Sequence, residues 1–258
     1  MTVVAIVQAR MTSTRLPGKV LANVAGAPML AWVVERARAA RRVDAVWVAC
    51  TDRPEDDAIA AWCRDRGVPC FRGSESDVLG RYRATAAAAG ADVVVRLTAD
   101  CPLLDPAVID RVVVALTEEH PAVDYAANVL ERSYPRGLDV EAFTAVALER
   151  LDRLGTSAAA REHVTVGARL EHPEAFQCRS VRGAADDSDL RWTVDSPDDL
   201  ASVRSLYQHL DLANRMVPYE DVVRWCRAHP ETARSDEPGH TWDPTRSRPD
   251  SITRGQLP

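Results

Sequence analysis

The chain predicts a doubly wound, mostly parallel α/β sheet carrying a smaller inserted α+β region. Two observations lead there. Short β-branched runs alternate with longer helical patterns up to about residue 122, which is the signature of strand–helix–strand units with right-handed crossovers. The runs Val3 to Val7 and Val93-Val94-Val95 are apolar at every position, so both faces of those strands need helices over them.

Taken in order, the pattern predicts a strand over 2–8, a helix over 27–41, a strand over 44–50 and a helix over 55–66. A short strand over 68–71, a helix over 76–89, a strand over 92–98 and a helix over 106–119 follow. Beyond 122 the alternation loosens into strands over 123–127 and 139–143, helical stretches over 144–153 and 157–170, and strands over 176–181 and 190–194. Helices over 197–210 and 218–228 close the fold, the first opened by Ser196 as cap, Pro197 at its first turn, and Asp198 and Asp199. This organisation reads as one domain over 1–228, with acceptor contacts or a subunit interface in 123–185. From 229 to 258 the chain is polar and proline-rich, a tail expected to be poorly ordered, with Trp242 as a docking point.

Composition narrows the function. With 258 residues and 46% hydrophobic content the chain can bury a substantial core, and a formal net charge of -6 excludes a general nucleic-acid or anionic-membrane binder. The opening Met1 to Val7 has neither the basic flank nor the apolar length of a signal peptide, so a cytoplasmic protein is expected. The six cysteines are scattered, without metal-ligand spacing, and read as reduced packing residues, Cys101 among them.

The strongest local signal lies just after the first strand. Lys19 is the one lysine among 32 basic side chains, and it closes the segment Gln8-Ala9-Arg10-Met11-Thr12-Ser13-Thr14-Arg15-Leu16-Pro17-Gly18-Lys19. An ammonium is a compact charge on a flexible stem, whereas the guanidinium of Arg is a planar fork. Together with Arg10 and Arg15 it makes a loop able to neutralise a triphosphate. The glycine spacing matches neither a Walker A loop nor a dinucleotide fingerprint. Asp100 and Asp195 each follow a predicted strand, where ligands of open α/β sheets bind, and two such oxygen donors suit magnesium.

Six blocks of the chain resemble the cytidylyltransferases that make CMP-activated sugar acids: the CMP-Kdo synthetases, the acylneuraminate cytidylyltransferases and, most closely, the spore-coat polysaccharide biosynthesis cytidylyltransferase-like family. Besides the loop ending at Lys19, these are 77–82 (DVLGRY), 96–103 (RLTADCPL), 134–141 (YPRGLDVE), 161–165 (REHVT) and 192–200 (WTVDSPDDL). The resemblance implies a nucleotide-diphospho-sugar transferase-like fold and transfer of CMP from CTP, or of another nucleotide from its triphosphate, to a small polar acceptor such as a sugar acid. It implies release of pyrophosphate, magnesium held by Asp100 and Asp195, a homodimer, and no nucleic-acid or membrane partner. Nucleotide contacts are expected at Gln8, Ala9, Arg10, Arg15, Lys19, Asp77 and Thr98, with Lys19, Arg10 and Asp100 catalytic. Acceptor contacts are expected at Arg136, Asp139, Glu141 and His163, where Arg suits a carboxylate and Asp or Glu a hydroxyl.

Three other readings share the fold, one of them a sugar-phosphate nucleotidyltransferase, whose usual glycine-rich opening loop is absent here. A GT-A-type glycosyltransferase would use a nucleotide-sugar donor and release no pyrophosphate, but Thr98 stands where an Asp-x-Asp pair needs its first acid. A non-catalytic nucleotide sensor would bind without turnover, and the intact loop with both acids argues against it.

Overall fold

In the computed structural model, which describes residues 1–118 and 122–231, β1 (Val3–Gln8) is a central strand of a seven-stranded sheet. It pairs in parallel with β4 (Ala45–Thr51) on one side and β6 (Val93–Thr98) on the other, and β5 (Cys70–Gly73) extends the parallel set beyond β4. The second half joins on the β6 side. There β8 (Glu141–Thr144) pairs antiparallel with β6 and with β7 (Tyr125–Ala127), and β9 (Cys178–Ser180) forms the edge. The sheet is mostly parallel with helices on both faces, as the apolar strands require.

Strand alternation divides the core. Val3, Ala5 and Val7 face a cluster shared with α1 (Met29–Arg38), α2 (Asp57–Asp65), α4 (Pro106–Thr117), α7 (Pro197–His209) and α8 (Tyr219–Ala228). Val4 and Ile6 face the opposite cluster with α3 (Val78–Ala89) and α5 (Ala145–Leu154). Each fully buried Val, Ile or Leu contributes about 1.5–3 kcal/mol by leaving water.

Three local expectations need correction. The helix predicted from 27 begins only at Met29, because Asn23–Val24 (β2) and Ala27–Pro28 (β3) form a hairpin whose turn residues Ala25 and Gly26 both take positive φ. The helix predicted over 157–170 breaks. α6 (Ala158–His163) stops where Val164 takes φ 48°, and a π turn follows over Gly167–Glu171. The strand predicted over 190–194 is not a strand of the sheet: among the described residues it makes an isolated parallel bridge, Arg136 to Arg191, and no ladder.

The cysteines are free thiols, and four of the six are buried as expected, while Cys178 is exposed and Cys70 partly so. Among the described residues no helix is long and apolar enough to cross a membrane. The tail from 232, with Trp242, and residue 119 of the predicted helix lie outside the described residues.

Candidate active site

The loop after β1 is a closed ring of backbone. The Met11 carbonyl accepts the amides of Ser13 and Gly18, both at 2.9 Å, and its own amide donates to Asp56 Oδ1 at 2.7 Å. Asp56 is fully buried and also takes the amide and hydroxyl of Thr51, so the end of β4 fixes the root of the loop. Gly18 leaves the ring at φ 73°, a left-handed turn that suits glycine, and the chain enters the short helical turn Lys19–Leu21.

That turn aims Lys19 inward. Its Nζ donates to Asp100 Oδ2 at 2.7 Å, to the Val194 carbonyl at 2.7 Å and to Asp195 Oδ1 at 2.9 Å. An ammonium has three donors, and all three are used. Burial alone lowers the pKa of this amine, but the two carboxylates outweigh it and hold the pKa above the ordinary lysine value. Burial acts oppositely on Asp195, and Lys19, Arg15 and Arg191 overcome it to hold the carboxyl below its usual range. Arg15 stands 3.0 Å and Arg191 2.6 Å from Asp195 Oδ2.

The segments that carry the two acids are tied together through backbone. The Val194 amide donates to the Asp100 carbonyl at 2.9 Å, so the loop after β6 and the loop before α7 are stitched together. Asp195 and Ser196 donate their amides to Asp199, which completes the capping box of α7. The segment 190–194 is placed in turn by Arg136, whose amide donates to the Leu190 carbonyl and whose carbonyl accepts the Trp192 amide. Gly137 follows at φ 104°, and a Cβ there would stand 2.7 Å from the Trp192 carbonyl carbon.

Gln8, Arg10, Ser13, Thr14, Arg15, Lys19, Thr98, Asp100 and Asp195 line one cleft of about 580 Å³ at the carboxyl ends of β1 and β6. The structure thus brings together most of the residues singled out from the sequence. Ala9 is buried beneath them, its amide donating to the Ala49 carbonyl. Arg10 makes no ion pair among the described residues, which leaves its guanidinium open to an anion. Gln8 Oε1 is buried without a partner, so the cleft holds an acceptor awaiting a donor.

Three expected site residues, Asp77, Asp139 and Glu141, are engaged by partners of their own. Asp77 does not line the cleft: it caps α3 through the Gly80 amide and pairs with Arg161, which leaves its carboxylate below its usual pKa against the pull of burial. Asp139 lies near Cys101 and so beside the Asp100 loop, but Arg132 grips both its oxygens at 2.7 and 2.9 Å. Glu141 is buried on β8 in an ion pair with Arg96, taking the hydroxyls of Tyr125 and Thr165, each at 2.6 Å. A carboxylate so enclosed is not exposed to an acceptor. His163 ends α6, half-buried, and burial holds its imidazole below the ordinary pKa, with Arg96 adding to the effect.

Sequence reading missed Arg191, Arg132 and Asp56. Arg191 was within reach of it, four residues before Asp195, whereas Asp56 acts on Met11 across 45 residues and carries no local signal.

Residues 4–213 match the cytidylyltransferase family. The chain is 33% identical to the spore coat polysaccharide biosynthesis protein SpsF of Bacillus subtilis over 218 residues, covering 79% of this chain and 85% of that one. It is 41% identical to a 3-deoxy-manno-octulosonate cytidylyltransferase of Geobacter sulfurreducens over 125 residues, 48% of each. The solved structure of a cytidylyltransferase from Leptospira borgpetersenii superposes with a TM-score of 0.85 at 31% identity, covering 91% of this chain and 97% of that one. A cleft that gathers the cations after β1 with one acid after β6 and another just before α7, in a chain matched over this length, makes the protein a nucleotidyltransferase that belongs to the cytidylyltransferase family.

Proposed function

We propose that the protein transfers CMP from CTP to a hydroxyl of a sugar acid or similar polar acceptor, releasing pyrophosphate, in the building of a cell-surface polysaccharide. The observation that carries this reading is the convergence of Asp100 and Asp195 on the single Nζ of Lys19, at the floor of a cleft rimmed by Arg10 and Arg15. Support for the acceptor class comes from the relatives SpsF and 3-deoxy-manno-octulosonate cytidylyltransferase.

In this reading the acceptor hydroxyl attacks the α-phosphorus in line, and pyrophosphate leaves toward the loop. Catalysis comes from positioning and charge. Arg10, which pairs with no carboxylate among the described residues, takes the phosphate tail first. Lys19 reaches a phosphate oxygen only by releasing one of its three present acceptors, which makes triphosphate binding an exchange of anions around one ammonium. Gln8 Oε1 gains the donor it lacks from the ligand.

The donor set fits magnesium. One oxygen of each acid already lies within hydrogen-bond distance of a common cation, and oxygen ligands completed by water and phosphate are what magnesium takes. When bound between Asp100 and Asp195 it would neutralise triphosphate oxygens. On the acceptor side, Arg136 and His163 take the direct contacts, while Asp139 and Glu141 act through Arg132 and Arg96. We assign the protein to the cytoplasm and to a homodimer, for which the edge strand β9 in the second half offers a pairing surface.

The test is pyrophosphate release with magnesium across the four ribonucleoside triphosphates and a panel of sugar acids. CTP with one sugar acid is expected to give turnover. Transfer from a nucleotide-sugar without pyrophosphate would overturn the reading.

A further inference from the structure

The segment Arg161-Glu162-His163-Val164-Thr165 holds a backbone conformation that an ordinary helix end does not need. Val164 sits at φ 48°, ψ -64°, fully buried. A β-branched residue at positive φ is strained, and the Thr165 amide donating to the His163 carbonyl at 2.5 Å closes a γ-turn of the rarer, positive-φ hand. Such a turn persists only where its surroundings hold both flanks.

Both flanks are held. Before the turn, Arg161 donates through Nη1 to Asp152 Oδ1 at 2.7 Å and through Nη2 to Asp77, the cap of α3. Gly80 leaves room for this pairing: a Cβ there would lie 2.3 Å from Asp77 Oδ2 and 3.0 Å from Arg161 Nη2, and would displace the pair. After the turn, the buried Thr165 hydroxyl donates to Glu141, which Arg96 and Tyr125 also hold. Between the two anchors stands His163.

The location matters as much as the brace. Arg96 lies close enough to His163 to act on its charge, and it shares a face of β6 with Thr98, two residues further toward the cleft. Gln8 belongs to the same face of β1 as Val4 and Ile6. His163 is therefore on the side of the sheet that carries Gln8 and Thr98, opposite the core face of α1 and α4.

Resting on the function proposed above, the geometry points to Arg161 and Thr165 as positioning residues for His163. They brace the strained turn at Val164 from its two ends, and the brace fixes the imidazole at the acceptor side of the cleft. A loosened brace lets α6 end in an ordinary, relaxed turn and moves the ring away.

The test uses Arg161→Gln, Thr165→Val and the conservative Thr165→Ser in the full-length protein, read in two ways. First, the ring resonances of His163, assigned with His163→Gln, are followed by NMR against pH without any acceptor. Wild type should titrate below the ordinary histidine value of about 6.5, and Arg161→Gln and Thr165→Val should move toward it. Second, with CTP and 3-deoxy-manno-octulosonate as the probe acceptor, both variants should raise the acceptor KM about tenfold while leaving the CTP KM within about twofold. Thr165→Ser should restore both. If the titration of His163 is unmoved in both variants, or if acceptor and CTP KM change together, the brace is merely structural and the inference is overturned. Absence of wild-type turnover with this acceptor counts against the acceptor class alone, and the NMR arm still decides the brace.

Discussion

Lys19 and Asp195 are separated by 176 positions in the chain and meet at 2.9 Å, so the first loop of the fold and the last loop before α7 are joined through one ammonium. Asp100 completes the contact from the loop after β6. Because three segments depend on that cation, its replacement tests both the chemistry and the packing.

Lys19→Met removes the charge and leaves two carboxylates facing each other. Pyrophosphate release should fall about 10²–10³-fold, the usual loss for one electrostatic stabiliser. Lys19→Arg keeps the charge, but a planar fork cannot place donors on three converging oxygens, so it should fail as well. Full activity of Lys19→Arg in a steady-state assay would show that any cation serves.

Asp100→Asn and Asp195→Asn address the metal. Each should raise the magnesium concentration needed for half-maximal pyrophosphate release, because a neutral amide is a poorer ligand than a carboxylate. Identical magnesium titrations for wild type and both variants would remove these two residues from the metal site.

Glu141→Gln separates support from catalysis. It leaves Arg96 buried without its counter-charge, and breaking such a pair costs about 3–5 kcal/mol. Denaturant unfolding should show that loss. If Glu141 were the general base, the variant would instead lose turnover at unchanged stability.

Gly137→Ala should act at a distance. The substitution forces a side chain into φ 104° and against the backbone of Trp192 and Thr193, three and two residues before Asp195. The expected result is lower stability together with a weaker magnesium response. A variant with wild-type melting temperature and magnesium dependence would mean that the segment 190–194 yields without moving the acid.

The pH dependence of stability has a sign on each side. Asp195 is held below its usual pKa, so its contribution is present above about pH 4, the value of a free carboxyl, and is lost as pH falls through the lower, folded pKa. Lys19 is held above its usual pKa, so its contribution is complete below about pH 10.4 and is lost as pH rises through the higher, folded pKa. Melting temperatures of wild type and Asp195→Asn should therefore converge on acidification below about pH 4 and stay apart between these limits. A constant gap down to pH 2 would contradict the assignment.

Much of this was readable in the chain. The apolar runs at Val3 to Val7 and Val93 to Val95 announce central strands because only a doubly covered strand can be apolar throughout. The loop cations and Asp100 follow from position along that sheet. What escaped were contacts between remote segments. Glu141 looks like an exposed acid beside Asp139, and only the pairing of β8 with β6 shows that Arg96 lies opposite it. The break at Val164 has no proline or glycine to mark it, and the residues that flank it, Arg161 and Thr165, are bonded to Asp77 and Glu141, partners far away in sequence. The predicted strand over 190–194 has a strand's residues without a strand's neighbour, because Arg136 offers a single bridge.

The solitude of Lys19 gives the protein a built-in reporter. Apart from the chain's amino terminus, an amine-selective acylating reagent has only one primary amine to find, and that amine is buried, protonated and bonded three ways. Its labelling rate is a clock for the opening of the nest: slow while Asp100 and Asp195 keep hold, faster whenever they let go. Mass spectrometry of a single site would then record, in real time, how often the two acids release that ammonium.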